Sequence, residues 1–314
     1  MTRETVAVGS EETVQPKVEP SGSPPRRRGP LRMGLRASLL VLLGFVGFVA
    51  VLYAFQANLI FPGSATQGRP EAVARARPGE ELVRLATDKG EVVAIYGSAL
   101  DANGRPLPDP SSRPALVFFY GNAMCMAYCA PLLDRFRRLG LNVMIPDYLG
   151  YGMSGGEPSE LGCRATAEAC YQNLRNRGFP PERILVGGWS LGAAVAIDLA
   201  SRQPAAGLFA FSAFTNLRDM ARGLIPVPLP SFLFAHKFDN LSKIGGIKCP
   251  ILLGHGRRDS IIPFAMFKRL EAAVKAPLST LVIDDADHND FFDVGGERID
   301  EAIRELTAKS HAGE

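Results

Sequence analysis

Two apolar patterns run along this chain, and they differ in length and in what interrupts them. The first is a single block: no charged residue occurs between Arg36 and Arg69, and residues 37–57 (ASLLVLLGFVGFVAVLYAFQA) are apolar almost throughout. At a rise of about 1.5 Å per residue, such a block spans a hydrocarbon core of about 30 Å. It is too long, and too uniform, for a core helix with one polar face. The second pattern begins near residue 81 and repeats short apolar runs separated by amphipathic stretches. Residues 81–99 predict two short strands around a Lys89-Gly90 turn, and DANGRPLPDPSSRP is a turn-rich loop. Six further apolar runs follow: ALVFFYGNA, LGLNVMIPDYLGYG, RILVGGWS, GLFAFSAF, PILLGHGRRDS and STLVIDDADHND. Helical periodicity predicts helices over about 126–139, 159–177, 191–202, 264–275 and 297–309. Apolar strands without alternation, separated by helices, indicate a mostly parallel sheet covered on both faces, an α/β fold.

Charge gives the apolar block a direction. Arg26, Arg27, Arg28, Arg32 and Arg36 precede it, which keeps the N-terminus in the cytoplasm and carries the rest to the outer, periplasmic or extracellular side. Tyr53 suits an interfacial aromatic at the far end. A cleaved signal peptide is the alternative, with Gly63 and Ala65 as small residues near a cleavage site. The block exceeds the usual signal core of about 7–15 residues, so we read it as an uncleaved anchor. The expected organisation is a cytoplasmic tail over residues 1–36, disordered in its Pro-, Ser-, Glu- and Arg-rich part, then an anchor over 37–57 and a linker over 58–80. An α/β domain over 81–309 follows, with a lid about 215–245. A formal net charge of +3 is too small to suggest nucleic acid, and no basic stripe carries interleaved aromatics. The five cysteines are Cys125, Cys129, Cys163, Cys170 and Cys249. Cys125 and Cys129 have helical i,i+4 spacing, but no histidine lies close in sequence to complete a metal set, so neither zinc nor another cofactor is expected. Most are read as small buried hydrophobes, and export would be compatible with one disulfide.

In parallel sheets, chemistry gathers at the carboxyl ends of the strands. Those ends carry Gly121-Asn122, Asp147, Ser190, Asp259 and His288. Gly188-Trp189-Ser190-Leu191-Gly192 fits G-x-S-x-G, a turn so tight between strand and helix that flanking side chains would clash. Such a turn lifts the serine out of the sheet at a helix N-terminus, where unpaired N–H groups favour an oxyanion. Four histidines permit elimination. His236 lies in the excursion between two strands, His311 is at a terminus, and His255 precedes Asp259 and so breaks the order Ser, Asp, His. His288 remains as the base. Asp259 is the expected acid, because Asp284, Asp285 and Asp287 are too close to His288 in sequence to align behind its ring; they read as a solvated acidic loop. Ser190 would attack an acyl carbon, His288 would take its proton, and Asp259 would orient the imidazole. The N–H groups of Leu191 and Asn122 would hold the oxyanion.

With these motifs together, residues 45–308 resemble the small, membrane-anchored branch of the α/β-hydrolase superfamily. That branch is related to serine aminopeptidase and monoacylglycerol-lipase-like enzymes. The resemblance rests on LIFPG, YGNA, DYLGYGMSGGEPSE, GGWSLGAA, CPILLGHGRRDSIIPF and DHNDFF in that order. Two positions depart: Tyr120 stands where the family has histidine, and Leu149 where it has arginine. Asp147, in the family loop, is expected to be structural. The resemblance implies acyl transfer to water on a carboxylic ester or thioester, without naming the acyl group; relatives include thioesterases, lysophospholipases and general esterases. The apolar, proline-rich residues 222–241 suit either a wall for an acyl chain or a cap packed on itself. A serine peptidase and a non-catalytic binding protein on the same fold are the competing readings. No charged pocket for a peptide terminus is evident, and a retired site has no need of Ser190, Asp259 and His288 together.

Overall fold

A computed structural model describes residues 1–2, 30–223 and 233–311. Of the expected disordered tail over 1–36, residues 3–29 lie outside the described residues and residues 30–36 are helical rather than disordered, because the helix of the apolar block starts at Pro30; the centre of the expected lid at 224–232 also lies outside the described residues. The chain forms two compact units, Met1–Ala50 and Val51–Glu314. The apolar block lies in a helix, α1 (Pro30–Ile60), whose last turns, residues 51–60, belong to the second unit.

The rest of the second unit is built on one eight-stranded sheet. The strands are β1 (Glu80–Thr87), β2 (Gly90–Gly97), β3 (Ala115–Phe119), β4 (Asn142–Pro146), β5 (Ile184–Trp189), β6 (Gly207–Phe211), β7 (Ile251–Gly256) and β8 (Leu278–Ile283), in the order β1-β2-β4-β3-β5-β6-β7-β8. The first two form the expected hairpin, with Thr87 opposite Gly90, and β2 runs antiparallel to β4; every later pairing is parallel. The all-apolar runs explain this layout: β3, β4 and β6 are buried at every residue, as strands covered on both faces must be.

Helices α3 (Glu160–Asn176), α4 (Leu191–Arg202), α6 (Asn240–Ile244) and α7 (Phe264–Ala273) pack on one another in sequence. Helix α2 (Ala130–Arg138) meets α8 (Phe291–His311), where Arg135 Nε donates to Asp300 at 2.7 Å. A short helix, α5 (Leu217–Arg222), opens the segment after β6. Three boundaries differ from the sequence reading. The segment from 126 starts as a 3-10 turn before α2, because Pro131 sits in the first turn of that helix. The last helix begins at Phe291 rather than 297, and it breaks at Gly296, whose φ of 42° is outside helical space. The turn in the first hairpin is Asp88-Lys89 rather than Lys89-Gly90.

Close approach of α4 to the sheet places the site. A Cβ on Gly188 would run into the Gly192 backbone, and one on Gly192 into the Phe119 carbonyl at the end of β3. Neither obstacle is a flexible side-chain tip, so neither can yield. Gly192→Ala is therefore expected to lower stability by about 1–3 kcal/mol through overpacking. Gly155→Ala, whose added methyl meets Glu91 only at 3.6 Å or more, should stay within about 0.5 kcal/mol of wild type. Chemical denaturation of both variants checks this; equal midpoints would refute it.

Candidate active site

Ser190 joins β5 to α4 with φ 58° and ψ −120°, a left-handed conformation that costs a non-glycine residue energy and needs surrounding structure to hold it. The restraint is visible on both sides. The Ser190 N–H donates to Phe211 O of the neighbouring β6 at 2.9 Å, and the Ser190 carbonyl accepts from Ala193 N at 3.0 Å. The side chain is thereby turned away from the sheet, and it meets His288.

The structure brings three of the expected residues into one line. His288 Nε2 is 2.9 Å from Ser190 Oγ, and His288 Nδ1 is 2.8 Å from Asp259 Oδ2. The Asp259 side chain is fully buried and that of His288 nearly so, while Ser190 is half-buried. The other Asp259 oxygen accepts from Ile261 N at 3.0 Å and Ile262 N at 2.6 Å. Burial alone would push this carboxyl up. The His288 hydrogen bond, the Ile262 N–H and the two neighbouring imidazoles outweigh burial and hold it below the usual carboxylate range.

The remaining histidines fall elsewhere. His255 is buried against Phe264 and Phe267 and donates through Nε2 to Ile262 O at 2.9 Å. Burial lowers its basicity, and it packs with Nε2 3.4 Å behind Asp259 Oδ2. His236 stacks edge-on against Phe61, and the side chain of His311 lies outside the described residues.

The acidic loop is more than solvated. Asp284 and Asp285 are exposed and pair with Arg257 and Arg258. Asp287 accepts from Ser260 N at 2.7 Å, from Ser260 Oγ at 2.9 Å and from His288 N at 2.6 Å. One carboxylate thus bridges the residue after Asp259 to the residue bearing the imidazole. Sequence reasoning missed this bridge, since proximity to His288 had argued against a role. It also missed Trp189, the chain's one tryptophan, whose ring centroid lies 5.3 Å from that of His288. A large residue at the x position of the elbow was the available signal.

Asp147 is structural. It accepts from Tyr120 Oη at 2.8 Å, Met126 N at 2.6 Å and Met153 N at 2.8 Å. Burial still raises its pKa, although these three donors counter the rise. Tyr120, the residue that replaces histidine, is held in this way, and its carbonyl accepts from Tyr148 Oη at 2.7 Å. Gly121 leaves room for Trp189, which a Cβ would meet at 2.9 Å. The next residue, Asn122, is half-buried, and its carbonyl and side chain are engaged by Gly63 and Ile60. Leu191 is the first residue of α4, where an N–H has no helical acceptor. All five cysteines are free, and among the described residues no cluster of His, Cys, Asp or Glu has the arrangement of a metal site.

Comparison with known proteins gives this geometry a lineage. A family model described as Phospholipase/Carboxylesterase matches residues 165–291, a span that contains Ser190, Asp259 and His288. An uncharacterized protein of Mycobacterium tuberculosis is 32% identical over 273 residues, covering 86% of this chain and 94% of that one. The human alpha/beta hydrolase domain-containing protein 17C is 35% identical over 187 residues, 58% of this chain and 54% of its own length. Among solved structures, the Pyrococcus furiosus esterase Pf2001 superposes with a TM-score of 0.60 at 21% identity, covering 76% of this chain and 96% of that one. Sheet order, elbow and these relatives agree: the chain belongs to the α/β-hydrolase superfamily.

Proposed function

We propose that this protein is a membrane-anchored serine hydrolase that cleaves carboxylic esters or thioesters through an acyl-enzyme. The observation that carries the reading is the unbroken relay from Ser190 Oγ through the His288 ring to buried Asp259, at 2.9 and 2.8 Å, with the serine on a left-handed turn. His288 accepts the Ser190 proton as Oγ attacks the acyl carbon. Asp259, ionised and kept so by its hydrogen bonds, fixes the ring with Nδ1–H toward itself and stabilises the imidazolium. The N–H groups of Leu191 and Asn122 receive the oxyanion. His288 then protonates the leaving alcohol or thiol, and water repeats the sequence in reverse. The Phospholipase/Carboxylesterase match and the esterase neighbours favour an acyl ester over a peptide.

The anchor rests on α1. Among the described residues, Gly34–Ile60 is the one helix long and apolar enough to cross a bilayer; its most apolar 18 residues have a mean hydropathy of 2.5, and none of them is buried. Leu40, Val41, Phe45, Phe48, Phe55 and Leu59 are all exposed, and lipid removes that apolar surface from water. The arginines before it set the orientation, N-terminus inside and catalytic domain outside.

Three outcomes test these readings. The wild type should react with a fluorophosphonate and hydrolyse a nitrophenyl ester or an acyl thioester, and Ser190→Ala should lose labelling and about 10³-fold or more in kcat. Labelling that survives in the variant rejects the nucleophile, and turnover of anilides alone rejects the substrate class. Because the folded-state pKa of Asp259 is depressed, its contribution to stability is full above the ordinary carboxylate range. It disappears as pH falls below that range, through the folded value. The stability advantage of wild type over Asp259→Asn should therefore persist at neutral pH and shrink in strong acid; an advantage independent of pH would contradict the assignment. Finally, a periplasmic-type reporter such as alkaline phosphatase fused after residue 311 should be active in a bacterial host, and a cytoplasmic reporter there silent. The reverse pattern would invert the topology.

A further inference from the structure

The end of the apolar helix is built into the oxyanion loop. Ile60 closes α1, and its carbonyl is one of the last four that a helix leaves without an internal acceptor role. The Asn122 side-chain amide donates to it at 3.2 Å. Three residues later the chain returns to the same residue: Gly63 N donates to the Asn122 carbonyl at 2.9 Å. Asn122 is therefore gripped from two directions by the helix end and the turn that follows it. Gly63 fits there because it lacks a side chain; a Cβ would strike both the Asn122 carbonyl and the Tyr151 ring. The turn is itself fixed, since Thr66 Oγ1 donates to Gly63 O at 2.6 Å and accepts from Gly152 N at 3.1 Å. One turn earlier in the helix, Gln56 makes a reciprocal pair with the 233–235 backbone. Its amide donates to Leu233 O at 3.2 Å, and its carbonyl accepts from Ala235 N at 2.9 Å. Phe61 between them is fully buried, with its ring on those of His236 and Phe238.

We infer that Asn122 is a two-sided residue: its side chain caps the membrane-proximal end of α1, and this cap, with Gly63, positions its backbone N–H for the oxyanion. Ile60 and Gly63 are then positioning residues for catalysis, although neither touches substrate. The inference rests on the reading of Asn122 as an oxyanion donor. It goes further in making the seating of the helix end a determinant of turnover. The amide is required because the partner is a carbonyl: alanine offers no donor, while the backbone N–H itself survives the substitution.

The test uses the full-length protein in detergent micelles, with kcat expressed per Ser190 titrated by fluorophosphonate, which removes any loss of folded protein from the comparison. Asn122→Ala and Gly63→Ala should each lower kcat on a short nitrophenyl ester by about ten- to a hundredfold, since a displacement of about 1 Å at a reacting geometry has that effect. KM should stay within about threefold. Because both act through one N–H, the double variant should be little slower than the slower single, well short of the product of the two losses. A per-site kcat for Asn122→Ala within twofold of wild type would overturn the inference, as would multiplicative losses in the double variant. Gly63→Ala is the variant more prone to misfolding, and Asn122→Ala decides the matter without it. Wild-type protein that neither titrates nor turns over ester would instead reject the hydrolase reading.

Discussion

The distance between α4 and the ends of β3 and β5 governs this molecule. Ser190 adopts its left-handed backbone only because the helix that follows lies against the sheet with no side chains between, at Gly188 and Gly192. That contact fixes the direction of Oγ and puts the N–H of Leu191 at an open helix start. The cost of the turn is borne by the apolar packing of α4, buried along nearly its whole length from Leu191 to Ala200. Loosening the contact would relax the serine toward an ordinary turn, and the relay to His288 would lose its first member.

A second layer of polar contacts keeps the loops in register with that serine. Asp147 gathers Tyr120, Met126 and Met153, and so fastens the segment before and after Asn122 to the loop beyond β4. Asp287 does the same between the loops beyond β7 and β8, with Arg257–Asp284 and Arg258–Asp285 as outer pairs. The two carboxylates differ in medium. Asp147 is buried, and burial raises its pKa against the pull of its three donors, whereas Asp287 is in reach of water, and its outer pairs are of the exposed kind that stabilise little. Their shared effect is geometric: each ties a residue flanking a functional group to a neighbouring loop.

Much of this was legible in the sequence because the governing patterns are local. Non-alternating apolar runs marked the parallel strands, and the glycines around Ser190 marked a turn without room for side chains. The convergence of Ser190, Asp259 and His288 followed from their positions after separate strands, since a parallel sheet brings all such ends to one edge. What escaped was contact between segments with no periodic signature. Asp287 was discounted for its nearness to His288, yet its partner is Ser260, brought close only by the pairing of β7 with β8. Nothing in PGSATQG announces hydrogen bonds to Asn122 and Gly152, because a glycine and a threonine in an irregular stretch suit many loops equally well. The break at Gly296 was missed for the same reason: a glycine within an amphipathic pattern reads as tolerated rather than as a kink.

The Gln56 pairing has an orientational consequence. A body hung on a free tether tumbles, and its encounters with a surface are set by tether length and local concentration. Here one helical face is pinned to the Leu233–Ala235 backbone, and turning the helix by a single residue, about 100°, would carry the amide away from both partners. The azimuth of those last turns and the bearing of the hydrolase body are therefore a single coordinate.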